Sequence, residues 1–225
     1  MARGCLPLFI FLFVLILLPF FLADAMLTAL SKLGLSSYQS LMAAFGIFLG
    51  GLINIPIRKF KIDTEWEQYQ PLFGFKKFDF SMANNRTTMT LAVNLGGGLI
   101  PSFLAFYQLY RFGWIYQDYV VFTAMLAAVA INVAVCYKLA RPIKNVGIAL
   151  NAFIPAIVAA ITAILLAPEQ APVIAFVAGV SGPLIGADLL HLGDIKKIST
   201  GMASIGGAGT FDGIVLSGIV ATLLA

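Results

Sequence analysis

Apolar residues run along this chain in seven blocks, broken by short polar interruptions and one long one. The blocks fall at about 6–23, 40–57, 89–108, 119–138, 147–167, 172–190 and 205–225. Each falls within the ~17–25 residues that carry a helix across a bilayer. Inside the blocks apolar positions are continuous rather than alternating, which predicts helices and not barrel strands; lipid also demands that every backbone group be paired. The expectation is an all-α, polytopic transmembrane helix bundle of about seven spans, a single membrane domain over residues 1–225. The opening "MARGCLPLFIFLFVLILLPFFLADA" imitates a secretory signal, with Arg3, an apolar run and Ala23-Asp24-Ala25. Its run exceeds the ~7–15 residues of a signal core, so it reads as the first span, and its removal would leave six.

Composition supports this reading. The chain is 60% hydrophobic and 11% charged, too little charge to cover a soluble domain of 225 residues. Its net charge of +4 raises nucleic acid as a partner, but the placement of the charges answers to membrane topology instead. With the N-terminus in the cytoplasm, 12 of the 14 Lys and Arg residues fall on the cytoplasmic side, and Lys32 and Arg111 alone lie outside. This orients the chain in a prokaryotic-type cytoplasmic membrane, N-terminus inside and C-terminus outside. The bilayer is the first expected partner, a membrane-embedded peptide, small solute or ion the second. No nucleic acid and no oligomeric state are implied. Cys5 and Cys136 form neither a disulfide framework nor a zinc spacing.

The longest polar segment, residues 58–88, is placed in the cytoplasm; its "FGFKKFDF" alternation predicts a short hairpin or an interfacial flap. Asn85-Arg86-Thr87 matches a glycosylation sequon but lies on the wrong side for use. Within the spans, Asn54/Pro56, Asn94/Pro101 and Asn151/Pro155 repeat one device, an Asn shortly before a Pro. Proline frees a backbone carbonyl, which survives in lipid only beside protein or an aqueous cavity. Asn54, Asn94, Asn151, Asp188 and Asp212 all map to the cytoplasmic half, with Asn132 nearer the middle, and predict one shared polar cavity opening inward. Gly46/Gly50, Gly182/Gly186 and Gly209/Gly213 have the spacing of close helix packing. Packing does not account for carboxylates, which cost about 2.5–3.5 kcal/mol inside a membrane.

The densest chemistry lies in residues 181–219, with three of the ten acidic residues and the single histidine. "GADLLHL" at 186–192 and "SIGGAGTFDGI" at 204–214 resemble the C-terminal signature of a bacterial and archaeal membrane family, domain of unknown function 1614. The Asn–Pro spans and the length agree, and the resemblance implies topology rather than an activity.

Three chemistries compete for this segment. Asp188 and Asp212 can form a carboxyl pair that shares a proton and activates water, a diaspartyl, protease-like hydrolase. "GAGTFDGIVLSGI" looks like the Gly-x-Gly-Asp segment of signal peptide peptidase and presenilin proteases. It departs from that pattern because Thr210 and Phe211 separate Gly209 from Asp212, and Ala187, not Tyr, precedes Asp188. "LGDIKK" is weakly similar to part of the prepilin peptidases, which makes Asp194 a rival carboxylate. A proton- or sodium-coupled carrier is the alternative, with Asn54, Asn94, Asn151, Thr210, Ser217 and the carbonyls freed near Pro101 and Pro155 as ligands. Third, Asp188, His191 and Asp194, spaced for one helix face, could hold Mg²⁺ or Mn²⁺; otherwise no cofactor is expected. A non-catalytic membrane assembly protein completes the readings. "GGAG" lacks the ending of a phosphate loop, so Gly206, Gly207 and Gly209 are read as a bend before span seven, with Ser204 as a further hydrogen-bonding group.

Overall fold

The computed structural model describes residues 5–62, 87–143, 147–194 and 202–225. Among these the chain is mostly helical. Helix α1 (Cys5–Lys32) turns at Gly34, whose φ of +73° suits a residue without Cβ, into α2 (Ser37–Gly50). Ser36 caps α2 reciprocally: its hydroxyl accepts from the Gln39 N–H, and the Gln39 side chain accepts from the Ser36 N–H. The continuous helical segment Leu95–Leu99, α3 (Ile100–Tyr110) and Arg111–Ile115 begins and ends in wider π turns. Helix α4 (Tyr119–Leu139) is capped by Asp118, and α5 (Phe153–Leu166) follows a small hairpin, β3 (Arg141–Ile143) with β4 (Gly147–Ala149).

The core is built around α6 (Ala171–Ser181), buried on every side from Val173 to Val180 and packed by α3, α4, α5 and α7 (Gly213–Leu224). Small residues permit this. A Cβ on Gly179 would lie 2.8 Å from the Ser217 carbonyl oxygen, and one on Gly218 would press on Val180. Helix α6 continues as the π segment Gly182–Leu189, where Gly182 and Gly186 lie against Asn132, Val133 and Cys136 of α4. The buried Asn132 amide donates to the Ala178 carbonyl at 2.8 Å, at the point where the α pattern changes to π. Among the described residues two helices are long and apolar enough to cross a membrane, Tyr119–Leu139 and Pro168–Asp194, while α5 and α7 are apolar but shorter.

Four of the expected helical blocks are partly strand, one of them through β4 of the small hairpin. β1 (Asn54–Ile62) pairs antiparallel with β2 (Thr87–Asn94), and β2 pairs parallel with β5 (Met202–Ile205), in the order β1-β2-β5. Residues 54–57, 89–94, 147–149 and 205 therefore leave the helices assigned to them. Hydropathy over a window cannot separate a short apolar strand from a helix. "TTMTLAVN" carries the Thr- and Val-rich signal of a strand, and β2 satisfies its backbone groups on both edges. The Gly209/Gly213 pair is also corrected: Gly209 lies in a 3₁₀ turn against Gly51, and Gly213 opens α7 with open space around it. The hairpin or flap, the sequon and the lysines at 196 and 197 lie outside the described residues.

Candidate functional site

Two loops make one end of the bundle polar. Asn94 ends β2 and caps the following helical segment, its Oδ1 accepting the Gly97 N–H at 2.7 Å. Its amide donates to the Gly51 carbonyl at 2.8 Å and to Asn54 Oδ1 at 3.1 Å. Asn54 Oδ1 also accepts the Ser204 hydroxyl at 2.6 Å, so one residue from each strand of the sheet joins a single network. The glycines lock it from behind. Gly97 and Gly206 lie backbone to backbone, so close that a Cβ on either would collide with the other's main chain, and Gly206 has φ +70°. "GGAG" turns the chain ahead of α7 and is also a packing surface for Gly97 and Gly98, whereas Gly96 packs on Ile47, Gly50 and Gly51.

In front of this scaffold lies a cavity of about 440 Å³, lined by Asn54, Leu91, Gly147, Ile148, Asp188, Asp212 and the stretch 202–208. Asp188 comes from the end of the π segment that extends α6, and Asp212 is the N-cap of α7. Asp212 accepts the Ile214 N–H on Oδ1 at 3.0 Å and the Ala208 N–H on Oδ2 at 3.3 Å. Asp188 takes a backbone N–H from Gly206 and stands near enough to Asp212 for the two carboxylates to repel each other. Two helix ends, 24 positions apart in sequence, thus bring both acids to one polar chamber.

The other expected site residues divide. Gly206 and Gly207 line the cavity, whereas Gly209 makes the next turn. Asn94 lies beneath it, fully buried, with its side chain committed to Gly97, Gly51 and Asn54. Asn151 is exposed and away from the lining; its Oδ1 accepts the Phe153 N–H at the start of α5. Pro101 and Pro155 are buried in the first turns of α3 and α5, also off the lining. Thr210 sits half-buried in the 3₁₀ turn, and Ser217 is buried against α6 with its hydroxyl unpartnered among the described residues. The five polar groups expected in one cavity therefore contribute three, Asn54, Asp188 and Asp212.

The expected metal group is not assembled. Among the described residues no three His, Cys, Asp or Glu side chains gather. His191 Nδ1 donates to the Gly186 and Ala187 carbonyls, at 3.0 Å each, and its ring lies over Tyr137. It closes the π segment, where four free carbonyls are expected. Leu91, Gly147 and Ile148 were missed as lining residues. The strand signal in 87–94 points to Leu91, but nothing local announces the β3–β4 hairpin at the cavity mouth.

The family model described as "Protein of unknown function (DUF1614)" matches residues 48–224. The chain belongs to this family. The matched region holds every lining residue of the cavity, from Asn54 to Asp212, whereas α1 and most of α2 precede it. No curated protein and no solved structure is significantly similar to the chain. Within the DUF1614 region, then, the polar chamber is an internal feature.

Proposed function

We propose that this DUF1614 protein is integral to the prokaryotic cytoplasmic membrane, crosses it with seven helical segments, N-terminus inside, and hydrolyses a membrane-embedded peptide at Asp188 and Asp212. One observation carries the reading: two acids from different helix ends line one cavity. Asp212 is the water-activating member. It takes a proton from water as the oxygen attacks the peptide carbonyl carbon, while Asp188 gives its proton to the carbonyl oxygen. Collapse of the tetrahedral adduct breaks the C–N bond; the departing nitrogen takes up the proton gained by Asp212, and one hydroxyl of the adduct returns its proton to Asp188 as the acid product forms. The Asn54–Ser204 pair adds polar side chains to the wall, while the amides of the 206–208 turn are spent on Asp188, the Ser204 carbonyl and Asp212 and hold those groups in place.

The test is cleavage of a panel of transmembrane peptides by protein purified in detergent, with products read by mass spectrometry. Asp188→Asn and Asp212→Asn should each slow cleavage by at least about 100-fold. If the wild type cuts no peptide and binds no hydroxyl-containing isostere of one, the hydrolytic reading is overturned. The polar lining equally favours a proton- or sodium-coupled carrier, for which Asp212→Asn should abolish gradient-driven flux in liposomes. Neither cleavage nor flux would leave the assembly-protein reading.

A further inference from the structure

A second cavity of about 440 Å³ lies at the other end of the bundle, and Lys32 and Arg111 both line it. These are the two basic residues that the charge rule leaves outside, and they come from different parts of the chain. Val173, near the start of α6, lines this cavity, whereas Asp188 lines the first. The intervening helical rise of about 1.5 Å per residue puts them roughly 22 Å apart. The two chambers therefore occupy opposite ends of the same central helix, and this inference does not depend on the hydrolytic reading.

Both cations are held by neutral groups. Arg111 Nη1 donates to the Leu33 carbonyl at 3.0 Å and to Gln108 Oε1 at 3.1 Å, and Nη2 donates to the Tyr116 hydroxyl. Its guanidinium also lies over the Tyr107 and Tyr116 rings, at 5.6 and 5.2 Å. Gly34 leaves it room, since a Cβ there would come within 3.3 Å of Nη2. Lys32 Nζ donates to the Thr222 and Leu223 carbonyls, at 3.3 and 3.4 Å, where the end of α7 favours a cation. The one acid on the lining is Asp118, whose Oδ1 accepts the Val121 N–H as the cap of α4. Two cations against one carboxylate leave the chamber positive, with donors still available on both side chains.

Depth narrows the ligand. Tyr110, Trp114, Tyr116 and Tyr119 are all exposed at this end, and Tyr110 stacks on Trp114 at 6.0 Å. Exposed Trp and Tyr collect at the level of lipid headgroups. The geometry points to an extracytoplasmic phosphate site, formed by Lys32 and Arg111 and occupied by the phosphodiester of a lipid headgroup. Asp118 then accepts from a hydroxyl or ammonium on the same headgroup. A planar guanidinium and a mobile ammonium together suit a tetrahedral anion.

The test uses delipidated full-length protein and four probes: phosphatidylglycerol, phosphatidylethanolamine, diacylglycerol with the same tails, and inorganic phosphate. Native mass spectrometry reads occupancy. Either phospholipid should bind at least about tenfold more tightly than diacylglycerol, and Lys32→Gln should remove about that factor, the usual worth of a hydrogen bond to a charged group. Arg111→Lys, which keeps charge and loses the fork, should weaken binding as well. Should inorganic phosphate bind, with the same sensitivity to Lys32→Gln, while phospholipids do not compete, the phosphate site stands and its occupant is the free anion. Equal binding of diacylglycerol and phospholipid overturns the site. So does unchanged binding of every phosphate probe in Lys32→Gln protein that melts like the wild type; the exposed Lys32 makes that variant the safer one to fold.

Discussion

At the scale of single residues, Asn94 and Asn151 show how far one side chain's role depends on where it is carried. Both precede a proline in an apolar block, yet Asn94 is fully buried in a three-way hydrogen-bond network while Asn151 is an exposed turn residue. Asn94→Ala leaves the Gly97 N–H and the Gly51 carbonyl without their partner, at about 1–3 kcal/mol for each buried group. Unfolding in detergent should register a loss of roughly 3 kcal/mol, against about 1 kcal/mol or less for Asn151→Ala. Asp212 has a structural duty too, as the cap of α7. Asn can keep the cap on the Ile214 N–H but cannot also accept from Ala208, so Asp212→Asn should lower stability by no more than about 1 kcal/mol while activity falls. Asp212→Ala should lose about 1 kcal/mol besides, and parallel melts of the two variants separate cap from chemistry.

At the scale of elements, the sheet and the glycine contacts decide the shape of the end of the bundle that carries Asp188 and Asp212. A helix over 89–108 would not hold Thr90 beside residue 202, whereas the parallel pairing of β2 and β5 makes Thr90 and Met202 direct partners. A Thr90→Cys, Met202→Cys double variant should therefore close a disulfide on mild oxidation, read as a mobility shift that reductant reverses. Failure to cross-link, with both thiols reactive, would return this segment to the helical reading. Gly97→Ala should prevent accumulation of folded protein, because its methyl would meet the backbones of Gly206 and Gly209 and no side chain that could give way. The strand signal was present in the Thr-rich "TTMTLAVN". What hid it was the length of the apolar block, which runs unbroken from β2 into α3.

At the scale of the whole molecule, two chambers at opposite ends of α6 make a topological prediction. In a background of Cys5→Ser and Cys136→Ala, a thiol at position 207 should react with a membrane-impermeant reagent only from the cytoplasmic side, and one at position 32 only from outside. Labelling of both from one side would refute the orientation. The sequence by itself determined the membrane class, the helical majority, the family signature and the two acids worth watching. Those follow from hydropathy, charge placement and local motifs, which need no partner to be read. Only the tertiary structure decided that Asp188 and Asp212 share a chamber, that Asn94 supports it from below, and that Lys32 and Arg111 line a second one. Each of those depends on distant segments packing together, and side-chain contacts across α6 and α7 leave no periodic trace in the chain.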